Sequence, residues 1–428
     1  MIDRKQLVSS HNPVLTKADK ESALTVGNGE LGFTADITGL QTLYGEYNVL
    51  PLCTMSQWGW HTKPVNGDRY DYTLKDLVMT EFEECTGRHL VYPKEKMPGN
   101  EEVYDWLRQN PHRLNLARIR FLWEGQEIKE AQITDIHQEL KLYEGVLESS
   151  FSVEGVPCRV LTACHNEGKD ILGFEVECEA LQEGKLTVEI SFPYGSPEIT
   201  ASDFTCPEKH QTEKIREAAG RLLLKRTLDR DTSYVEIEAE EAALELFPEE
   251  HRVVITAKGG KLDFSVAFGK TAGKAQAVSA EEVLKASGEG WKNYWEKGGI
   301  IRLNQSKDKR AMELERRIIL SQYLMAVNSS GSTPPQETGL TCNSWYGKMH
   351  LEMYLWHCAW LPLWNHSDLL DRSLRWYREH LPEAEENAAR NGYKGARWPK
   401  MIATEGVDCP SNIAPLLVWQ QPHIIYKL

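Results

Sequence analysis

Apolar and polar residues alternate through much of the first 270 residues. Leu172, Phe174, Val176 and Cys178 are separated by Gly173, Glu175 and Glu177, and Leu186, Val188, Ile190 and Phe192 by Thr187, Glu189 and Ser191. A period of two sends one set to a core and the other to water, so each stretch is predicted to be a half-buried strand. Phe151–Val153 and Cys158–Leu161 flank Glu154-Gly155 and read as a hairpin. Val253–Ala257 and Leu262–Phe268 flank Gly259-Gly260 and read as a second one. Many strands with little helix between them predict a large antiparallel sandwich, a domain over residues 1–275.

The period then changes. Trp291, Tyr294 and Trp295 fall at i, i+3 and i+4 before Gly298-Gly299. This predicts a helix over 281–297, inside a linker region 276–307, whose aromatic stripe packs on a neighbouring domain. From 308 to 428 the chain reads as helical. Met312, Ile319, Tyr323 and Val327 share one face of a helix ending near Asn328. A loop follows over 334–339, then a second helix over 347–364. Ser367 is placed as the cap of a third, which runs to about His380. Pro382 suits the first turn of a fourth, with Gly392 at its end, and a last helix begins after Pro410-Ser411.

Composition narrows the function. Apolar residues at 41% and charged residues at 26% are ordinary for a globular chain, which excludes a disordered or collagen-like one. With 49 basic against 63 acidic residues the net charge is −14, so a nucleic-acid partner is not expected. No apolar run approaches the roughly 18 residues of a membrane span. Met1–Gln6 leads into polar sequence, so no secretory signal is expected. Nine scattered cysteines without a CxxC pair argue against a zinc site or a disulfide framework. Reduced thiols and a cytoplasmic location are the expectation, with no bound metal and no cofactor. Phosphate-loop, dinucleotide and serine-hydrolase motifs are absent. Gly27-Asn28-Gly29 is read as a tight turn.

Seven of the 13 tryptophans crowd the C-terminal part: Trp345, Trp356, Trp360, Trp364, Trp376, Trp398 and Trp419. Polar groups that are costly to bury unpaired lie among them, including Gln336, Glu337, His350, Glu352, Lys394, Arg397, Lys400, Gln421 and His423. A sugar has apolar C–H faces and a ring of hydroxyls, so flat aromatics beside amides, carboxylates and cations suit it. Trp360, Trp364 and Trp376 are read first as helix-packing residues. Glu352 is read as facing a ligand, against the alternative of a hydrogen-bonded structural carboxylate. For His423 the two readings stand level. His350, Glu352 and His357 do not share a helix face well, so a helical metal pair is unsupported.

Trp345-Tyr346-Gly347-Lys348-Met349-His350-Leu351-Glu352-Met353, followed by Trp356-His357, resembles the active-site segment of six-hairpin glycosidases. The run Trp376-Tyr377-Arg378, Leu381-Pro382, Asn387-Ala388 and Gly392–Pro399 resembles glycoside hydrolase family 65. A weaker likeness to family 95 has His350 and Tyr354 where that family carries asparagines. Gly27–Gly32 is similar to a glycine-rich turn near the start of such proteins. The tryptophan-aspartate pair of family 65 is absent as such.

The resemblance implies a β-sandwich, a linker helix and an (α/α)6 toroid. In that layout 308–428 is the first part of the catalytic barrel, and the chain is expected to stop inside it, before the family's general acid. The implied function is inverting hydrolysis of the O-glycosidic bonds of an oligosaccharide. The alternatives are a family 65 glycoside phosphorylase and a non-catalytic carbohydrate-binding fragment. Glu352 falls at the family's sugar-binding carboxylate. Trp345, Lys394 and Arg397 are placed with it on the sugar, with His350, Gln421 and His423 beside them. Glu337 is an additional carboxylate and a candidate catalytic group without a matched role. Apolar positions at Ile413, Leu416, Leu417 and Val418 lack partners in an incomplete toroid, so association into a homo-oligomer is expected.

Overall fold

The computed structural model describes residues 2–65, 72–92, 96–413 and 417–427. Its N-terminal part is rich in sheet. A nine-stranded sheet runs Val14–Leu15, Ile133–Lys141, Val146–Val153, Val156–Cys164, Ile171–Cys178, Lys261–Gly269, Asp231–Ala239, Arg221–Leu228 and His210–Ala218. A five-stranded sheet runs Gln126–Glu127, Arg118–Trp123, Leu186–Ser191, Arg252–Ala257 and Ala242–Phe247. Every pairing in both sheets is antiparallel among the described residues. Their apolar faces share one core, with Phe121 and Val188 of the smaller sheet and Phe151, Phe174 and Phe264 of the larger one in the same cluster. The alternation that predicted strands at 172–178 and 186–192 holds, because Leu172, Phe174, Val176, Leu186, Val188 and Ile190 are all buried.

Two expectations about the strands change. Glu189 does not face water. It is buried, with Arg120 Nε 2.7 Å from its carboxylate and Arg118 and Arg252 each at 3.8 Å. Arginines from the adjacent strands supply the partners that a buried carboxylate requires. The hairpin at Glu154-Gly155 forms, with both turn residues at positive φ (48° and 79°) as a two-residue turn of this hand needs. The one at Gly259-Gly260 does not, because Arg252–Ala257 belongs to the five-stranded sheet and Lys261–Gly269 to the nine-stranded one. That turn carries the chain from one layer of the sandwich to the other.

The linker helix is Ala280–Lys297, with the Ser279 hydroxyl accepting from the Glu282 N–H and Gly298 at its C-cap. It lies on the nine-stranded sheet where Gly173 brings the strand backbone close to Val283. Its aromatic stripe does what the spacing predicts. Trp291 stacks on Tyr323 at 4.4 Å, Tyr294 on His366 at 4.0 Å, and the Trp295 indole donates to the Leu142 carbonyl at 2.8 Å. This helix thus packs on both the sheet-rich and the helical part.

The helical part opens with Ala311–Ser329. Ile319, Tyr323 and Val327 are buried on one face, while Met312 is exposed and does not belong to it. The turn at Gly27-Asn28-Gly29 seats this helix: Gly29 has φ of 89°, and a Cβ there would sit 2.7 Å from Ser330 Oγ. The single helix predicted over 347–364 is broken into a 3-10 turn at Ser344–Gly347, a two-residue strand Met349–His350, a 3-10 turn at Leu351–Met353, and short helices Tyr354–Cys358 and Trp360–Leu363. Ser367–Glu379 and Leu381–Arg390 match the third and fourth predicted helices, although His366, not Ser367, is the cap residue. After Pro410-Ser411 the only described helix is His423–Lys427. Ile413 and Val418 are exposed, Leu417 is half-buried, and Leu416 lies outside the described residues. No helix among the described residues is long and apolar enough to cross a membrane.

Candidate functional site

Three short segments lie side by side in the helical part. Met349–His350 pairs with Met401–Ile402, Gln336 bridges to Met349, and the His350 and Leu351 N–H groups donate to the Pro335 and Lys400 carbonyls. This backbone network gathers Glu337, His350, Glu352 and Lys400, which are spread over more than sixty positions of sequence.

Lys400 Nζ lies 2.7 Å from Glu352 Oε1, and the two side chains are 8% and 7% exposed. They form a nearly dry ion pair. The Lys400 ammonium also stands 5.5 Å from the Trp345 ring centroid, and the Arg108 guanidinium stands 5.4 Å from it. Trp345 itself is 46% exposed, so it presents an open aromatic surface flanked by two cations. His350 is buried against this group, with its ring 6.3 Å from Trp345. Its Nδ1 donates to the Lys348 carbonyl at 3.1 Å, and its Nε2 is 3.8 Å from Glu337 Oε2. Burial, then the neighbouring Lys400 charge, pulls the His350 imidazole down to about 3, so it is neutral near pH 7. Glu337 is half-buried, and its carboxyl is pushed upward from the usual range. Burial is the main cause; Glu352 adds to it and Lys400 opposes it.

The loop that carries Trp345 is held in an uncommon conformation. Trp345 and Tyr346 have φ of 51° and 63°, a left-handed region that costs a non-glycine residue on the order of 1–3 kcal/mol. Arg113, fully buried in the sheet-rich part, offsets that cost. Its Nε donates to the Gly347 carbonyl at 3.2 Å and its Nη1 to Ser56 and Gln57 carbonyls at 2.8 and 2.5 Å. Burial lowers its guanidinium to about 9. Asn343 adds a second tie, donating to the Glu198 carbonyl at 2.7 Å.

The remaining sequence-predicted residues are placed as follows. Arg397 is buried, 3.0 Å from Asn391 Oδ1 and 3.5 Å from Asp408 Oδ2. The Gln421 amide accepts from the Trp398 N–H and donates to the Trp398 carbonyl, at 2.9 and 2.6 Å. His423 Nδ1 donates to the Leu351 carbonyl at 3.2 Å, behind Glu352. Lys394 is exposed on the turn after Leu381–Arg390. The structure therefore brings Glu337, Trp345, His350 and Glu352 together, pairs Arg397 with the Asn391 and Asp408 side chains, and ties Gln421 to the Trp398 backbone. Sequence reasoning missed Arg108 and Arg113, which come from the sheet-rich part and carry no local signal. It counted Lys400 among the polar residues without pairing it to Glu352. Among the described residues no cluster of three or more His, Cys, Asp or Glu side chains is arranged to hold a metal.

No family model matches the chain. Over 135 residues it is 31% identical to the kojibiose phosphorylase of Escherichia coli (strain K12), a match covering 30% of this chain and 17% of that protein. A solved structure from the human microbiome, provisionally named as a kojibiose phosphorylase, superposes with a TM-score of 0.63 at 12% identity, over 97% of this chain and 55% of its own. The chain thus spans about half the length of that structure. At this identity the superposition speaks for the fold: a sheet-rich N-terminal part followed by a helical part, shared along nearly the whole of this chain.

Proposed function

We propose that the chain forms part of a carbohydrate-active enzyme of the family 65 kind, and that the enzyme is a glycoside phosphorylase. The observation that carries the reading is the buried Glu352–Lys400 pair beside half-exposed Trp345. A carboxylate and an ammonium can bind neighbouring sugar hydroxyls with charge-assisted hydrogen bonds, while an indole accepts the C–H face. The resemblance read in the sequence implies hydrolysis first, with phosphorolysis as its alternative. The likeness to two proteins named as kojibiose phosphorylases supports phosphorolysis over hydrolysis. In this proposal residues 1–275, 276–307 and 308–428 are the sandwich, the linker and part of an (α/α)6 toroid.

The reaction is a displacement with inversion. An oxygen of inorganic phosphate attacks the anomeric carbon, the glycosidic C–O bond breaks on the opposite face, and a carboxylic acid gives its proton to the leaving oxygen. Glu337 is the candidate proton donor here, because its burial keeps the carboxyl protonated to higher pH than an exposed glutamate. Arg108, beside Trp345, supplies positive charge for the incoming phosphate. Gln421 and His423 hold the backbone around the site, Arg397 is engaged by the Asn391 and Asp408 side chains, and exposed Lys394 is kept as a candidate for the sugar.

Incubation with kojibiose, with and without inorganic phosphate, tests this. Sugar phosphate formed only when phosphate is present is the expected result. Release of reducing sugar without phosphate would return the reading to a hydrolase, and saccharide binding with no turnover would make it a binding protein.

A further inference from the structure

A cavity of about 450 Å³ lies where the sheet-rich part meets the loop after Met401–Ile402. None of the residues lining it belongs to the Glu352–Lys400 group. Its volume falls within the range of about 300–1,000 Å³ typical of small-molecule sites, and junctions between packed units are preferred places for them. Trp58 and Trp60 form part of the wall, both partly exposed. Their indole N–H groups are already used: Trp58 donates to Asp170, and Trp60 donates to the Gln57 carbonyl at 2.9 Å. The Arg113 guanidinium lies over the Trp60 ring, 4.1 Å from its centroid. The two rings are therefore fixed in orientation, and what they offer the cavity is carbon surface.

The rest of the lining is polar and balanced in charge. Arg230 and Lys270 are cations, Asp231 and Glu405 are carboxylates, and Ser233 and Thr232 add hydroxyls. Asp231 is set in place by the Thr62 N–H at 2.9 Å. Two carboxylates beside two cations disfavour a phosphate or another multiply charged anion. Fixed aromatic surface with carboxylates, cations and hydroxyls suits an uncharged polyol with apolar C–H faces. We propose that this cavity is a second saccharide-binding site, separate from the Glu352–Lys400 group. The proposal goes beyond the reaction proposed above and does not depend on it.

The test is titration of the whole chain with maltose and with kojibiose at millimolar concentration, read by calorimetry and by saturation-transfer NMR. Trp58→Ala removes one of the two aromatic walls and should weaken binding at this site at least about tenfold. Because Trp58 also holds half-buried Asp170, the exposed pair Lys270→Met and Glu405→Gln is measured beside it, with an expected weakening of at least about fivefold. Glu352→Gln should leave this binding in place. Saccharide binding indifferent to all three cavity substitutions overturns the proposal. So does the absence of any binding to the native chain, or displacement of the saccharide from this cavity by inorganic phosphate. Absence of phosphorolysis with cavity binding intact would remove the proposed reaction alone.

Discussion

The Glu352–Lys400 pair gives the most direct test of how the site is built. The side chains are 7% and 8% exposed and 2.7 Å apart, so each charge has lost most of its water and relies on the other. Removing one partner of such a pair leaves a buried charge uncompensated and costs about 3–5 kcal/mol. Glu352→Gln keeps the shape and can still accept a hydrogen bond from Lys400. Glu337 lies near enough to Lys400 to compensate in part. The expected loss is therefore at the low end, about 3 kcal/mol, more than a hundredfold in the folding equilibrium. Lys400→Met strands the Glu352 carboxylate and should cost a similar amount. The double substitution removes both charges and should cost far less than the two singles combined, with a coupling energy of at least about 2 kcal/mol. Urea unfolding of the four proteins, followed by tryptophan fluorescence, measures all of this. Single losses below about 1 kcal/mol that simply add would show that the pair is effectively solvated, and the reasoning from its burial would be wrong.

Gly145 has φ of 64°, and a Cβ there would overlap the Trp291 indole, so Gly145→Ala should lower stability by at least about 2 kcal/mol, seen as an earlier melting midpoint. Arg113→Met removes the donors to the Ser56, Gln57 and Gly347 carbonyls, and a loss of about 3 kcal/mol with faster proteolysis near residue 345 is expected. Native cleavage rates in that variant would contradict the role given to Arg113. His210 and His350 are held near 3 and His366 near 4, each chiefly by burial, against about 6.5 when unfolded. Between those limits the unfolded chain binds more protons than the folded one, so stability is full above pH 6.5 and falls on acidification. Each of these imidazoles contributes a loss of about 1.4 kcal/mol per pH unit once well below 6.5. Urea midpoints unchanged from pH 7 to pH 5 would refute this.

The sequence made the sandwich legible because a period of two is local. Leu172 to Cys178 alternate whatever the strand pairs with, and Glu154-Gly155 carries its turn conformation in two residues. Which sheet a strand joins is not local. Lys258–Gly260 looks like a hairpin turn, yet the strands on either side of it diverge into different layers. Glu189 looks like a solvent-facing residue because the arginines that bury it stand on neighbouring strands, Arg118 and Arg120 about seventy positions earlier and Arg252 about sixty later. The aromatic stripe of the linker helix was readable for the opposite reason, since three large rings at helical spacing have few other uses. The segment 347–364 defeated the periodicity reading because Met349–His350 is claimed by a two-residue strand opposite Met401–Ile402, a pairing that no pattern within either segment announces. Glu352 could be picked out by its neighbours, but Lys400 could be recognised as its partner only through that same pairing.

The candidate site is a joint product of the two parts of the chain. Trp345 takes its open position on a backbone that, left to itself, would avoid two successive left-handed residues. The force that keeps it there comes from Arg113, a buried cation that donates to the Ser56, Gln57 and Gly347 carbonyls on both sides of the junction and to the Gln57 side-chain amide oxygen. Arg108, from the helix Glu101–Gln109, places its guanidinium 5.4 Å from the Trp345 ring centroid. A buried guanidinium is an expensive way to hold a loop if stability alone were at stake, because well-packed apolar groups do as well. What it supplies is direction: several fixed donors in one plane that set the Gly347 carbonyl, and with it the indole two residues earlier. The helical segments bring Glu337, His350, Glu352 and Lys400 together, and the sandwich fixes the aromatic surface they work against. The sheet-rich part is therefore a positioning element of the site as well as a neighbour of it.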